Sequence, residues 1–187
     1  DPSNVEQHVP SSLRELIERQ LDRLTPEERT VLEAASVAGI ECCSVALAAG
    51  LDMPVEWVEK HCEELARRHQ FFSAPWLAEL PDGTLSPRYR FNHILYLEVP
   101  YGLIPPKRRA EIHRRIADRG VEIYGARAGE IAAELAMHFE QSRDWPHAVH
   151  YLIQAAETAM EKPAHYEAAV LARRGLEALN YLGGCAD

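Results

Sequence analysis

Between residues 132 and 155 the chain sets small and bulky side chains at fixed offsets: Ala132, Leu135, Ala136, Phe139, Ala148, Leu152 and Ala155. Two antiparallel helices pressed face to face need this pattern. The small residues let the backbones approach, while Phe139 and Leu152 fill the groove between them. The periodicity predicts helices over 130–141 and 145–161. A third, over 165–182, repeats the composition with Tyr166, Ala168, Ala169, Leu176 and Leu179. One such hairpin cannot bury both of its faces, so further helices are expected to stack on it. The run Gly125-Ala126-Arg127-Ala128-Gly129 is the strongest boundary signal in the chain.

The offsets are those of a tetratricopeptide repeat of about 34 residues, with Ala132 where Trp is usual. Upstream, the reading is a lead helix and then a different unit. Ser12 and Glu15 fit a capping box ahead of the stripe Leu13, Leu16, Ile17, Leu21 and Leu24. Thr25-Pro26-Glu27-Glu28 is a stronger start, and Gly39 is a natural stop. A short strand over 40–42 follows, then a helix over 44–49. Asp52 is expected to cap a helix reaching His69, its apolar face made by Val55, Val58, Cys62 and Leu65. Phe71, Phe72, Trp76 and Leu77 precede Pro81-Asp82-Gly83, with Tyr89 and Phe91 beyond, which reads as a hairpin. Helix, strand, helix, helix, hairpin is the order of a winged helix.

A helix should resume after Asn92, kinked or ended at Pro100, and another should start at Pro105-Pro106 and stop at Gly125. The expected fold class is therefore mainly α: a winged-helix domain with a short β-hairpin wing, then tetratricopeptide-like antiparallel helical hairpins. The expected domains are 1–104, the winged helix with its lead helix; 105–128, a connecting helix; and 129–187, the start of the repeats.

Composition narrows the function. With 47% hydrophobic and 26% charged residues, the 187-residue chain can build a core. No apolar run approaches a membrane span. Four Cys without regular spacing suit reduced thiols and a cytoplasmic location. The net charge is −9, with 9 Lys/Arg against 17 Asp/Glu over residues 1–104 and 11 against 12 over 105–187. An acidic chain is poorly suited to phosphate backbones. The first residue is Asp1, with no Met and no signal-like apolar run, so the chain is expected to be part of a larger protein. No phosphate loop, dinucleotide fingerprint, nucleophile elbow or His-Glu-x-x-His motif is present, so no catalytic residues are expected.

Five groups of residues invite a functional reading. His93, capped by Asn92 at the first turn of a helix, could meet a phosphate, with Arg88 and Arg90 adding charge from one strand face. Alternatively, His93 packs under the wing and bonds to backbone. Lys107, Arg108, Arg109, Arg114, Arg115 and Arg119, with His113 among them, outweigh Glu111 and Asp118 by +4. They could bind nucleic acid or an acidic partner, or form a solvated face or intramolecular docking surface.

Cys42, Cys43, His61, Cys62 and His69 are zinc-type residues, but their spacing matches no finger, and buried thiols are the expectation. The helix that would read DNA carries Glu56, Glu59, Glu63 and Glu64 against Lys60, Arg67 and Arg68, the wrong sign for a groove. Trp76, beside Pro75, suits either a partner contact or packing across the hairpin.

The order of several short motifs resembles the region after the ATPase core in bacterial STAND-type signalling ATPases, including regulators with cyclase or LuxR-type outputs. The motifs are Val9-Pro10-Ser11-Ser12-Leu13, Leu21-Asp22-Arg23-Leu24, Glu28-Arg29 and the run from Val31 to Gly39. Tyr89-Arg90-Phe91-Asn92-His93, Tyr101, Arg108-Arg109, Ile112-His113 and Glu134-Leu135-Ala136-Met137-His138 complete them. The resemblance implies a winged helix closing over an ATPase core, followed by repeats that sense a ligand or partner. It also implies that His93 touches the β-phosphate of ADP held by the core. ATP or ADP would belong to that larger protein, and no cofactor or metal to this segment. The implied partners are the ATPase core and a protein or peptide bound by the repeats. Self-association is expected from the unfinished array, and no membrane contact. The rivals are a DNA-binding winged-helix transcription factor with a helical dimerisation arm, and a thiol or metal sensor at Cys42, Cys43 and Cys62.

Overall fold

The computed structural model describes residues 11–69, 71–162 and 164–183. Val9 and Pro10 of the sequence motifs lie outside the described residues, as do the side chains of Ser11, Ser12 and His69. The chain is mainly helical, with one small antiparallel sheet.

Helix α1 (Ser11–Leu21) leads into α2 (Pro26–Ala38). Thr25 starts α2 as expected: its hydroxyl accepts from the Glu28 N–H at 3.2 Å, and the Glu28 carboxylate accepts from the Thr25 N–H at 2.9 Å. Gly39, at φ +118, ends it. Strand β1 (Glu41–Cys43) then hands over directly to α3 (Ser44–Leu51). The structure corrects the role of Asp52. It adopts the left-handed conformation, φ 58 and ψ 46, and closes the C-terminus of α3, while Pro54 precedes α4 (Val55–Glu64). Asx residues tolerate this conformation, and the following Pro already fixes the next start. A π-helical turn, Leu65–His69, extends α4.

Strands β2 (Trp76–Glu79) and β3 (Leu85–Arg90) form the hairpin, and β3 lies between β1 and β2. Its tip is held by Thr84 N–H to Asp82 Oδ1 at 2.9 Å, with Gly83 at φ +84. Phe72 falls outside the strands and forms a single bridge to Phe91. Helix α5 (Leu95–Leu103) begins three residues after Asn92 rather than beside it. Pro100 neither ends nor starts it but lies buried inside, where α5 forgoes one backbone hydrogen bond. Helix α6 (Pro106–Tyr124) runs from the expected proline to the expected Gly125. A 3₁₀ segment, Gly125–Ile131, precedes α7 (Ala132–Gln141), α8 (Trp145–Glu161) and α9 (His165–Gly183).

Two main clusters of buried side chains form. The first gathers Ile17, Leu21, Leu32, Leu47, Val58, Phe71, Tyr89, Phe91, Val99, Ile112 and Ile116. Leu13 and Leu16, expected in the α1 stripe, are exposed, while Ile17 and Leu21 are buried and Leu24, just past the helix, packs against the same cluster. The second gathers Ala117, Leu135, Ala136, Phe139, Ala148, Tyr151, Leu152, Ala155 and Leu171. Phe139 stacks on Tyr151 with centroids 5.6 Å apart. Each fully buried aliphatic side chain here contributes about 1.5–3 kcal/mol.

One helix serves both clusters: α6 gives Ile112 and Ile116 to the first and Ala117 to the second. Gly50 of α3 lets α6 come close, since a Cβ there would lie 3.1 Å from Ile116 Cγ1 and 3.2 Å from Ile112 Cγ2. Among the described residues, no helix is long and apolar enough to cross a membrane.

Candidate functional site

The pairing of α6 with α7 turns two histidines inward. His113 on α6 and His138 on α7 are both buried, at 2% and 1% exposure. Their Nδ1 atoms are 2.7 Å apart, and His113 Nε2 is 3.2 Å from the Tyr101 hydroxyl on α5. A chain of polar contacts thus crosses three helices. Burial, then mutual repulsion and the nearby Arg109 guanidinium, lower the His113 pKa to about 3. Burial lowers that of His138 to about 4. Both rings are neutral near pH 7, so one Nδ1 carries hydrogen and the other accepts it. Two orders satisfy the contacts. Either Tyr101 donates to His113, which donates to His138, or the whole chain runs in reverse.

His138 Nε2, the other edge of the ring, is buried without a hydrogen-bond partner. His138 lines a cavity of about 210 Å³ between the sheet and α6–α7. Leu80, Ile116, Ile123, Ile131 and Leu135 give it apolar walls, and Arg88, Glu41 and Glu134 bring charge. Arg88 Nε is also buried and unpartnered. Glu134 keeps access to solvent at the rim; the surrounding protein raises its carboxyl pKa, and Arg88 pulls it partly back. Two residues that carry orphaned polar atoms, and a perturbed carboxyl, line one partly apolar cavity, which makes this the candidate site of the molecule.

The residues singled out in the sequence are distributed differently. His93 is exposed before α5, and its Nδ1 accepts the Leu95 N–H at 3.2 Å. Arg90 forms an ion pair with Glu41 across the sheet, where the two residues are in register. Arg88, two residues away, sits opposite Cys43 and lines the cavity, whose lining does not include His93.

The cationic run of α6 is largely consumed within the chain. Arg108 pairs with Glu33, Arg114 with Asp118 and Asp144, and Arg119 with Glu122 and Asp82. Arg109 stacks over the Tyr101 ring at 4.6 Å. The contacts to Glu33, Asp144, Asp82 and Tyr101 bind α6 to its neighbours and those to Asp118 and Glu122 stay within the helix, although each exposed pair adds only about 0.2–1 kcal/mol.

Cys42 and Cys62 are buried, which pushes both thiols up, and His61 Nδ1 contacts the Trp57 carbonyl at 2.7 Å. Among the described residues, no group of three or more His, Cys, Asp or Glu could hold a metal ion. On α4, Glu59 accepts from the Ser44 hydroxyl at 2.8 Å. Trp76 is 39% exposed on the edge strand, with Leu77 and Leu85 also exposed on the hairpin.

Tyr101, His113 and His138 were not expected to meet: His113 was counted with the cationic run, and Tyr101 and His138 only among the motifs of the resemblance. The signal for that meeting is faint: three polar side chains separated by 12 and 25 positions. No protein-family model, curated protein or solved structure matches the chain.

Proposed function

We propose that the chain is a non-catalytic regulatory module of a STAND-type signalling ATPase, cytoplasmic, that couples the nucleotide state of an ATPase core to partner or ligand recognition by helical repeats. In this reading residues 1–104 are a winged helix with its lead helix, 105–128 connect, and 129–187 begin a tetratricopeptide array. The element order from α2 to β3 and the packing of Leu135, Phe139 and Leu152 support those assignments. The carrying observation is the double membership of α6, whose Ile112 and Ile116 enter one cluster while Ala117 enters the other. Movement of either part must then act on the other through one helix.

Native-state hydrogen exchange tests this coupling. The amides of α5 and α7 are expected to open with the same free energy, as one cooperative unit. Independent opening, with α7 exchanging while α5 stays protected, would remove the basis of the reading. The nucleotide arm has its own test. In a protein carrying both an ATPase core and this segment, His93→Ala is expected to speed release of fluorescent ADP. Unchanged release would exclude His93 as the phosphate contact.

A further inference from the structure

We propose that the solvent-open cleft where α6, α7 and α8 meet binds a small aromatic phosphate monoester through Lys107, Arg109 and Arg143. The site is independent of the regulatory reading above, because it rests on the chemistry of its own walls.

The cleft has a volume of about 460 Å³, and three cations and one carboxylate line it. The carboxylate, Glu140, is held by the Arg174 guanidinium on α9. Among the described residues, no carboxylate pairs with Lys107, Arg109 or Arg143. Elsewhere on α6, Arg108, Arg114 and Arg119 all have carboxylate partners. In a chain with 29 Asp and Glu against 20 Lys and Arg, three uncompensated cations on one cleft are an exception. They repel one another, and an anion between them relieves that repulsion. The net charge of −9 does not prevent this, because charges beyond about 8 Å are screened at physiological salt.

Two of the cations are set in place beforehand. The Arg109 guanidinium lies 4.6 Å over the Tyr101 ring. Stacking uses the face of the guanidinium and leaves its in-plane N–H donors free for an oxyanion. Arg143 stands directly after α7 in the left-handed conformation, φ 61, where helices usually carry glycine. Its N–H donates to the Glu140 carbonyl at 3.0 Å, and the Asp144 N–H donates to the Phe139 carbonyl at 2.9 Å. A strained backbone therefore holds an arginine at the mouth of the cleft.

The walls select the ligand. With Glu140 already paired, an amine finds no free carboxylate, while a dianion meets three donors of charge. Arginine forks match phosphate oxygens. Inorganic phosphate alone would leave most of the space empty. Pro106, Ala110 and the Trp145 indole supply an apolar wall, and Trp145 is braced by Tyr181, stacked at 4.5 Å and 14°. A flat ring suits such a wall. At about 30 Å³ per water the cleft has room for about fifteen waters, and a ring with one phosphate, about eleven heavy atoms, fills most of that. Little space is left for flanking peptide, which favours a free ester over a phosphorylated side chain.

Calorimetric titration of the 187-residue chain with phenyl phosphate, nearly doubly charged at pH 7.5, tests the proposal. Saturable binding with Kd below about 1 mM is expected. Phenyl sulfate, with one charge fewer, and phenol are expected at least about tenfold weaker, the factor for one lost charged hydrogen bond. Inorganic phosphate, lacking the ring, is expected at least about threefold weaker. Arg143→Gly suits the left-handed backbone, and Lys107 is exposed, so Arg143→Gly and Lys107→Gln leave the fold intact. Each is expected to weaken phenyl phosphate at least about tenfold. Arg173→Gln, at an exposed α9 cation outside the cleft, is expected to leave the affinity unchanged. A short phosphotyrosine peptide is expected to bind no tighter than phenyl phosphate. The proposal is overturned by no saturable binding, by equal affinity for phenyl sulfate or inorganic phosphate, or by unchanged affinity in Arg143→Gly or Lys107→Gln. An equal loss in Arg173→Gln, or a peptide at least about tenfold tighter, overturns it as well.

Discussion

His113 and His138 face each other Nδ1 to Nδ1 across 2.7 Å, so one ring must donate, the other must accept, and the two cannot both carry a second proton. This single contact ties α6 to α7 and makes the junction of the two clusters acid-sensitive.

The acid sensitivity has a definite sign. Both folded pKa values lie below the ordinary value near 6.5, at about 3 and about 4. Above about pH 7.5 neither state binds many protons, and stability is nearly flat in these groups. As pH falls below 6.5 the unfolded chain protonates both rings and the folded chain does not, so stability drops. By pH 5 each ring accounts for a loss of up to about 2 kcal/mol. Urea unfolding at pH 7.5, 6 and 5 is expected to show this decline. The double variant His113→Gln/His138→Gln is expected to flatten it; an equally steep decline in that variant would place the acid sensitivity elsewhere.

Gly50 gives a packing test with opposing contributions. Alanine is favoured over glycine within a helix by about 1 kcal/mol. Its Cβ, however, would press on Ile116 and Ile112, two branched side chains buried in the first cluster. Overpacking costs about 1–3 kcal/mol, so Gly50→Ala is expected to lower stability on balance. A rise in melting temperature for Gly50→Ala would show that α6 yields at this point.

The nucleic-acid rival makes its own forecast. A DNA reader should show a sequence-specific, salt-steep mobility shift with duplex oligonucleotides. The acidic side chains of α4 and the pairing of Arg108, Arg114 and Arg119 within the chain argue for none. A specific shift at about 50 mM salt, lost by about 200 mM, would revive that rival.

What the sequence discloses is what short-range chemistry decides. The Thr25 box is readable because both partners lie within four positions and the groups satisfy each other. The bounds of α7 and α8 follow from a small-and-bulky alternation that repeats on one face. Asp52 misleads, because an Asp before a helix and an Asp after one look alike. Only the fold shows that Pro54 leaves Asp52 to close α3. His113 reads as one polar residue in a cationic helix, and nothing nearby announces that α7 will cover it. The split of Arg88 from His93 is set by sheet register, which places Arg88 opposite Cys43 and beside the cavity. Sites assembled across distant segments are written in packing, not in spacing.

Helix α6 has 19 residues, and at 1.5 Å per residue it is about 28 Å long. A rod of that length, with its one proline confined to the first turn and its one inner glycine, Gly120, pressed against Leu135, has little inner slack where a twist could dissipate. A few degrees of torque at the Pro106 end would therefore arrive at Tyr124 nearly undiminished, as in a crankshaft.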